Sequence, residues 1–217
     1  MKKRPYRLKR RAAQQQETRE RIVDAAMVLH EEIGPAATTI SALAERAGVQ
    51  RLTVYRHFPG EREILEACST KWMDRHPPPD ISELAPGGTA ERARSILLAL
   101  YGYYDDTQGM WRSLYRDLGR VVALDEPMRQ FHDYLEDLGR ALLSVYAPRR
   151  SQRLRATVGH ALRFSTWDSL NEQGLSPRAM AALVCAWIRA AAGRRQSCYR
   201  PETHARSCRS TSASRSQ

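Results

Sequence analysis

Lysine is scarce in this chain, four residues among 35 bases, so arginine carries nearly all the positive charge. Cysteine is as sparse, and Cys68, Cys185, Cys198 and Cys208 follow no regular spacing. That excludes a disulfide framework, which a chain of 217 residues does not need, and it points to a reducing, cytoplasmic setting. Long apolar runs are missing too. The longest uncharged apolar stretches, Ser95–Tyr104 and Ala179–Ile188, have ten residues each, against about twenty for a membrane span. The basic start, Met1–Arg11, is followed by Ala and Gln at Ala12–Gln16 instead of an apolar segment, which argues against export and a membrane partner. No Gly-rich phosphate loop and no Ser/His/Asp grouping occurs. His160 and Asp168 lie eight positions apart, over about 11 Å of helical rise, too far for a hydrogen bond. Cys198, His204 and Cys208 match no common zinc spacing. The expectation is a chain with no catalytic residues, no metal and no cofactor: not an enzyme.

What the chain has is a surplus of positive charge, +11, and its placement matters more than its size. Met1–Arg11 holds seven bases and no acid, and Gly193–Gln217 holds six bases and one acid, Glu202. The stretch between them is close to neutral, so the surplus sits on two ends. Net charge speaks of partners and solubility, not of fold.

Fold class follows from periodicity. Apolar residues recur at three- and four-residue spacing through most of the chain, and no strand alternation of useful length appears. Glu17–Ile33 carries Ile22, Ala25, Ala26 and Leu29 on one stripe and stops at Gly34-Pro35. Short helices are expected at Ile40–Ala47, capped by Thr39, and at about Gln50–Phe58, with Gly48 between them. A longer one covers Glu61–His76. Pro77–Gly88 reads as an exposed linker. Helical patterns resume over Thr89–Thr107, Gln108–Leu124, Pro127–Tyr146, Ser151–Gln173 and from Pro177 onward. Beyond Gly193 the pattern dissolves into Arg, Ser and Thr, which cannot build a core and reads as disorder. The expected organisation is all-α: a basic arm at 1–16, a unit at 17–66, a helical domain at 67–192 and a tail at 193–217.

Residues 39–58 form a helix, a Gly-apolar turn and a second helix, which is the layout of a helix-turn-helix. At about 100° per residue, Val54 and Phe58 share the inner face of the second helix. Leu52 and Arg56 then point outward, flanked by Thr53 and Tyr55, with Arg51 near the start. Arg can bond guanine bidentately, and Leu or a Thr methyl can touch a thymine methyl. Thr39, Tyr55 and His57 suit phosphate contacts, which position without specifying. Short helix pairs of this kind also occur in ordinary helical domains, and geometry alone leaves the two readings level.

The residues themselves tip that balance. Thr39-Ile40-Ser41-Ala42-Leu43-Ala44-Glu45-Arg46-Ala47-Gly48-Val49, followed by Thr53-Val54-Tyr55-Arg56-His57-Phe58, closely resembles the DNA-binding signature of the TetR family of bacterial repressors. The likeness covers roughly Thr18–Leu65. It implies a three-helix helix-turn-helix domain that contacts DNA through Thr39, Gln50, Arg51, Leu52, Thr53, Tyr55, Arg56, His57 and Arg62. Three positions depart from the pattern. Gln50 replaces the usual small polar cap, Leu52 stands where small residues are common, and Glu61 replaces a phosphate-contacting Lys, for which Arg62 is the substitute. The segment Glu17–Glu66 is itself acidic, with six bases and nine acids.

The resemblance further implies a helical domain for ligand binding and dimerisation. Ser151–Ala192 looks like the family's final helix pair, which would place Leu154, Val158, Trp167, Leu170, Leu183 and Trp187 at a homodimer interface. Trp72, Tyr101, Tyr104, Met110, Trp111, Tyr115, Phe131, Tyr134, His160 and Phe164 are the candidate lining of an effector pocket, although an aromatic stripe at helical spacing is more often plain core. The resulting expectation is a homodimeric DNA-binding regulator, a repressor, that holds a palindromic operator in double-stranded DNA and is released by a small molecule. The alternative is a helical small-molecule-binding protein whose DNA binding has decayed.

Overall fold

The computed structural model describes residues 4–80, 82, 89–146 and 151–193. Helices α1 (Arg4–Glu32), α2 (Ile40–Ala47), α3 (Arg51–His57) and α4 (Glu61–Arg75) come first. They are followed by α5 (Thr89–Asp117), α6 (Asp125–Val145), α7 (Gln152–Ala161), α8 (Phe164–Glu172) and α9 (Pro177–Gly193). Single 3-10 turns lie at Pro35–Ala37 and Val122–Leu124. Among the described residues there is no strand, and no helix is long and apolar enough to cross a membrane.

The first helices obey their local signals. Thr39 Oγ1 accepts from Ala42 N at 3.1 Å and so caps α2. Gly48 ends α2 in the left-handed region, φ 63°, with its N–H returned to Glu45 O. Gln50 occupies the cap position of α3 and makes no side-chain cap bond. Val54 and Phe58 close onto Ile22, Ala26, Leu43, Ala44 and Ile64 in a continuous apolar core. Helix α5 is the central strut of the remainder, packed on α1, α6, α8 and α9.

Three boundaries differ from the sequence expectation. Helix α1 begins at Arg4, so most of the basic arm is the first turns of a 29-residue helix. Thr89–Asp117 is one helix, not two, because no proline interrupts it, Gly109 is tolerated inside a helix at modest cost, and the apolar stripe runs through it. Conversely, Ser151–Gln173 is broken at Leu162-Arg163, where no Gly or Pro stands. The break is held from outside. Tyr101 Oη donates to Ala161 O at 2.8 Å and Tyr104 Oη to Leu162 O at 2.9 Å, while Thr166 Oγ1 donates to His160 O at 2.6 Å. Carbonyls at the end of α7 thus find partners without a continuing helix. In the stretch read as a linker, Pro79 O accepts from Tyr134 Oη at 2.8 Å, which ties that turn to α6. Residues 194–217, with Cys198, His204 and Cys208, lie outside the described residues, as does most of 81–88.

Candidate nucleic-acid interface and internal cavity

Helix α3 presents the outward face expected of it. Leu52 is 75% exposed and Tyr55 45%. Arg51, Arg56 and Gln50 are exposed, and Thr53 and His57 half-buried. Burial, with Arg56 and Arg19 nearby, lowers the His57 pKa, so its imidazole offers a neutral group to a backbone phosphate.

The acidic balance of this region looks unfavourable for DNA until each base is followed to its partner. Arg21 donates to Ala47 O at 2.6 Å and to Gly48 O at 3.1 Å, bracing the turn of the helix-turn-helix. Arg46 pairs with Glu32 at 2.6 Å, and Arg19 lies 4.8 Å over the Phe58 ring. Arg62 pairs with Glu66 at 2.8 Å, so it is not the free phosphate contact that the Glu61 departure calls for. Arg51 and Arg56 alone among these bases have no ion pair, hydrogen bond or ring contact within the described residues. Both stand on α3. The free positive charge of this unit is therefore on the helix that would enter a groove, and the balancing acids lie elsewhere on its surface.

Behind this unit a cavity of about 330 Å³ opens between α4 and the start of α6. Its floor includes Trp72, Met110, Trp111 and Phe131, four of the ten residues expected there, together with His30 and Cys68, which sequence reasoning missed. His30 belongs to α1, and nothing in its local sequence signals a contact with α4. The Cys68 thiol and His30 Nδ1 lie 3.5 Å apart. Burial lowers the His30 pKa to about 4, against the opposing pull of Asp117, and raises that of Cys68 to about 12. Both are neutral near pH 7, the thiol donating to the imidazole.

The other expected pocket residues lie elsewhere. Tyr101 and Tyr104 are fully buried and hold the end of α7. Tyr115 and Phe164 stack at 5.3 Å beside a separate cleft between α6 and α7, and Tyr134 is bonded to Pro79. His160 is exposed on α7 and lines no described cavity. The expected dimer residues divide similarly. Leu154, Val158 and Trp167 are buried within the chain, because α7 and α8 turn these faces toward its own core. Leu170 is half-buried, and Leu183 and Trp187 are each 37% exposed. These last two belong to an exposed strip of α9 that also holds Ala179, Ala182, Ala186 and Ala190 and bears no charge.

The two halves meet at the end of α5. Ser113 Oγ donates to Glu31 O at 2.9 Å and Arg116 Nη2 to Ile33 O at 2.9 Å. The Asp117 carboxylate, 2% exposed, accepts from Ala36 N at 2.9 Å. Just upstream on the same helix, Met110, Trp111 and Leu114 form one wall of the cavity.

Residues 22–68 match the family model for bacterial regulatory proteins of the tetR family. The HTH-type transcriptional regulator SrpR of Pseudomonas putida is 45% identical over 56 residues, 26% of each chain. The tetracycline repressor protein class D of Escherichia coli is 34% identical over 58 residues, 27% of each. The chain thus aligns with only about a quarter of the length of these relatives. Fold similarity reaches further. A TetR-like transcriptional regulator from Rhodococcus sp. RHA1 superposes with a TM-score of 0.62 at 19% identity, covering 82% of this chain and 97% of that one. Residues 22–68 thus carry a helix-turn-helix sequence of the tetR family of bacterial regulatory proteins, set in an all-helical fold similar to that of a TetR-like regulator.

Proposed function

We propose that this protein is a homodimeric transcriptional repressor that reads a pseudo-palindromic operator through α3 and releases it when a small molecule fills the α4–α6 cavity. The observation that carries the reading is the isolation of free charge on α3: Arg51 and Arg56 are exposed and unpaired while the neighbouring bases are occupied. The alternative, a ligand binder with decayed DNA function, rests on the acid surplus of residues 17–66. Asp24 pairs with Lys71 and Arg75, which lie outside that segment and offset part of the surplus, whereas the pairs Glu32–Arg46 and Glu66–Arg62 lie inside it and leave its net charge unchanged.

Two recognition helices about 34 Å apart would enter successive major grooves on one side of the duplex. Coupling has two physical routes. Helix α4 carries Ile64 and Leu65 in the core shared with the first unit, and Cys68 and Trp72 in the cavity floor. Helix α5 carries the cavity wall and the Asp117 contact to Ala36. A ligand shifts the equilibrium only by its preference for one arrangement of these helices over the other.

Selection of bound duplexes from a random pool, with affinity followed against salt, tests the reading. A palindromic consensus is expected; binding without sequence preference and with a steep salt slope would instead credit only the basic ends. Within a selected operator, Arg56→Ala should cost about 1–3 kcal/mol and relax the preference at one base position per half-site. Equal weakening on every sequence would make Arg56 a phosphate contact.

A further inference from the structure

The cavity differs from the three larger clefts of this arginine-rich chain in having no base in its lining. Its residues include three carboxylates, Glu66, Asp74 and Glu126, and no Arg or Lys. The cleft between α6 and α7 carries Arg140, Arg155 and Arg163. The one beside the Pro35–Ala37 turn carries Arg62, Arg120 and Arg129, and the one between α1 and α4 carries Arg19, Lys71 and Arg75. With 31 arginines in the chain, this is the one of these four clefts whose wall holds no base; a hollow of about 20 Å³ that shares His30 and Leu65 with it is base-free too.

The carboxylates are also placed together. Glu66 and Asp74 lie on one stripe of α4 at two four-residue steps, both exposed, and Glu126 is exposed at the start of α6. They therefore border the open side, while buried Trp72, Trp111 and Phe131 form the interior. Glu66 and Glu126 are each held by an arginine, Arg62 and Arg129, that belongs to the neighbouring cleft and not to this one. Asp74 has no ion-pair partner among the described residues. Inside, Trp72 and Trp111 meet edge to face with centroids 5.6 Å apart, and Trp111 and Phe131 approach to 4.1 Å. Ring faces attract a cation by their quadrupole, most strongly where water is excluded. Met73, Met110 and Met128 add polarizable sulfur to the same walls.

We propose that the cavity selects aromatic or alkyl cations, drawn in by the carboxylate mouth and held against the indole and phenyl rings. The neutral imidazole of His30 and the protonated thiol of Cys68 add no positive charge to the floor and leave it hospitable to such a ligand. This rests on the effector reading only in assigning the site; the charge preference can be measured without DNA.

Three probes of nearly one shape separate the possibilities: phenyltrimethylammonium, tert-butylbenzene and benzenesulfonate, titrated into the full chain by calorimetry and by fluorescence of the cavity tryptophans. The ammonium compound is expected to bind about tenfold or more tighter than its neutral isostere, with the sulfonate weakest. Asp74→Asn, at an exposed position where folding is safe, should weaken the cation by about fivefold and leave tert-butylbenzene unchanged. Equal or tighter binding of tert-butylbenzene or benzenesulfonate, or no binding of any of the three, overturns the proposal. Operator affinity measured alongside keeps the two readings apart. Tight cation binding without operator release would refute the effector role alone, and release by the neutral compound would refute the charge preference alone.

Discussion

Ala186→Arg is expected to convert a dimer into a monomer and to lower operator affinity by about 10²–10⁴-fold, the contribution of a second tethered half-site. Ala186 lies in the middle of the exposed uncharged strip of α9, four residues from Ala182 and from Ala190 and beside Leu183 and Trp187. At about 100° per residue these positions, with Ala179, fall within one arc of the helix, and the charged Arg178 and Arg189 lie at its border. Small side chains let a second helix approach closely, and in a two-fold assembly the same strip meets itself. An arginine at its centre would set two like charges against each other without a partner. Since Ala186 is exposed in the single chain, the substitution leaves the core untouched and helical content should not change. Sedimentation velocity would show the change of mass, and a gel-shift titration on operator and on an isolated half-site would show that only the former weakens. A variant that remains dimeric with unaltered operator affinity would move the interface away from α9.

How much of this was legible in the sequence depended on the range of the interactions concerned. The helix-turn-helix was readable because its determinants are local: Thr39 caps α2, Gly48 takes the left-handed conformation that ends it, and Val54 and Phe58 share one face of a seven-residue helix. The exposed strip of α9 was only half readable. Periodicity marks a residue as apolar and inward without saying inward to what, so Leu154, Val158 and Trp167 looked equivalent to Leu183 and Trp187 although the chain buries the first three itself. The α7–α8 break was invisible for a related reason. It is made by Tyr101 and Tyr104, about sixty residues upstream, whose hydroxyls take the carbonyls that a continuous helix would have used. The cavity was legible as a collection of aromatics but not in its membership. His30 enters it from α1 because α1 packs on α4 and α5, a tertiary fact with no signature in residues near His30.

Gly34→Ala is expected to destabilise the protein through two separate terms and, if the fold survives, to weaken communication between the cavity and α3. The sequence marked Gly34 simply as a helix stop, yet its constraint is stronger. Its backbone sits at φ 89°, ψ 157°, a region that is essentially glycine's alone, so any side chain costs about 1–3 kcal/mol in backbone strain. A Cβ at this position would also overlap Arg116 Nη2 and Asp117 Oδ2, the groups that grip the end of α1 and the following turn. Displacing the Asp117 carboxylate frees Ala36 N and leaves a buried acceptor short of its donor, which costs about 1–3 kcal/mol more. For a chain of this size each kcal/mol lowers Tm by about 2–4 °C, a loss that a thermal melt would register directly. Asp117→Asn separates the two terms. It keeps the glycine backbone and an acceptor oxygen for Ala36 N while removing the negative charge shared with Arg116 and Arg120 at 3.6 Å. Its melting point should therefore fall less than that of Gly34→Ala. If α5 carries the signal, both variants should bind operator and cavity ligand yet show a smaller ligand-induced change in operator affinity than the parent chain. An unchanged coupling in both, with ligand binding intact, would leave α4 as the connection between the cavity and the recognition helix.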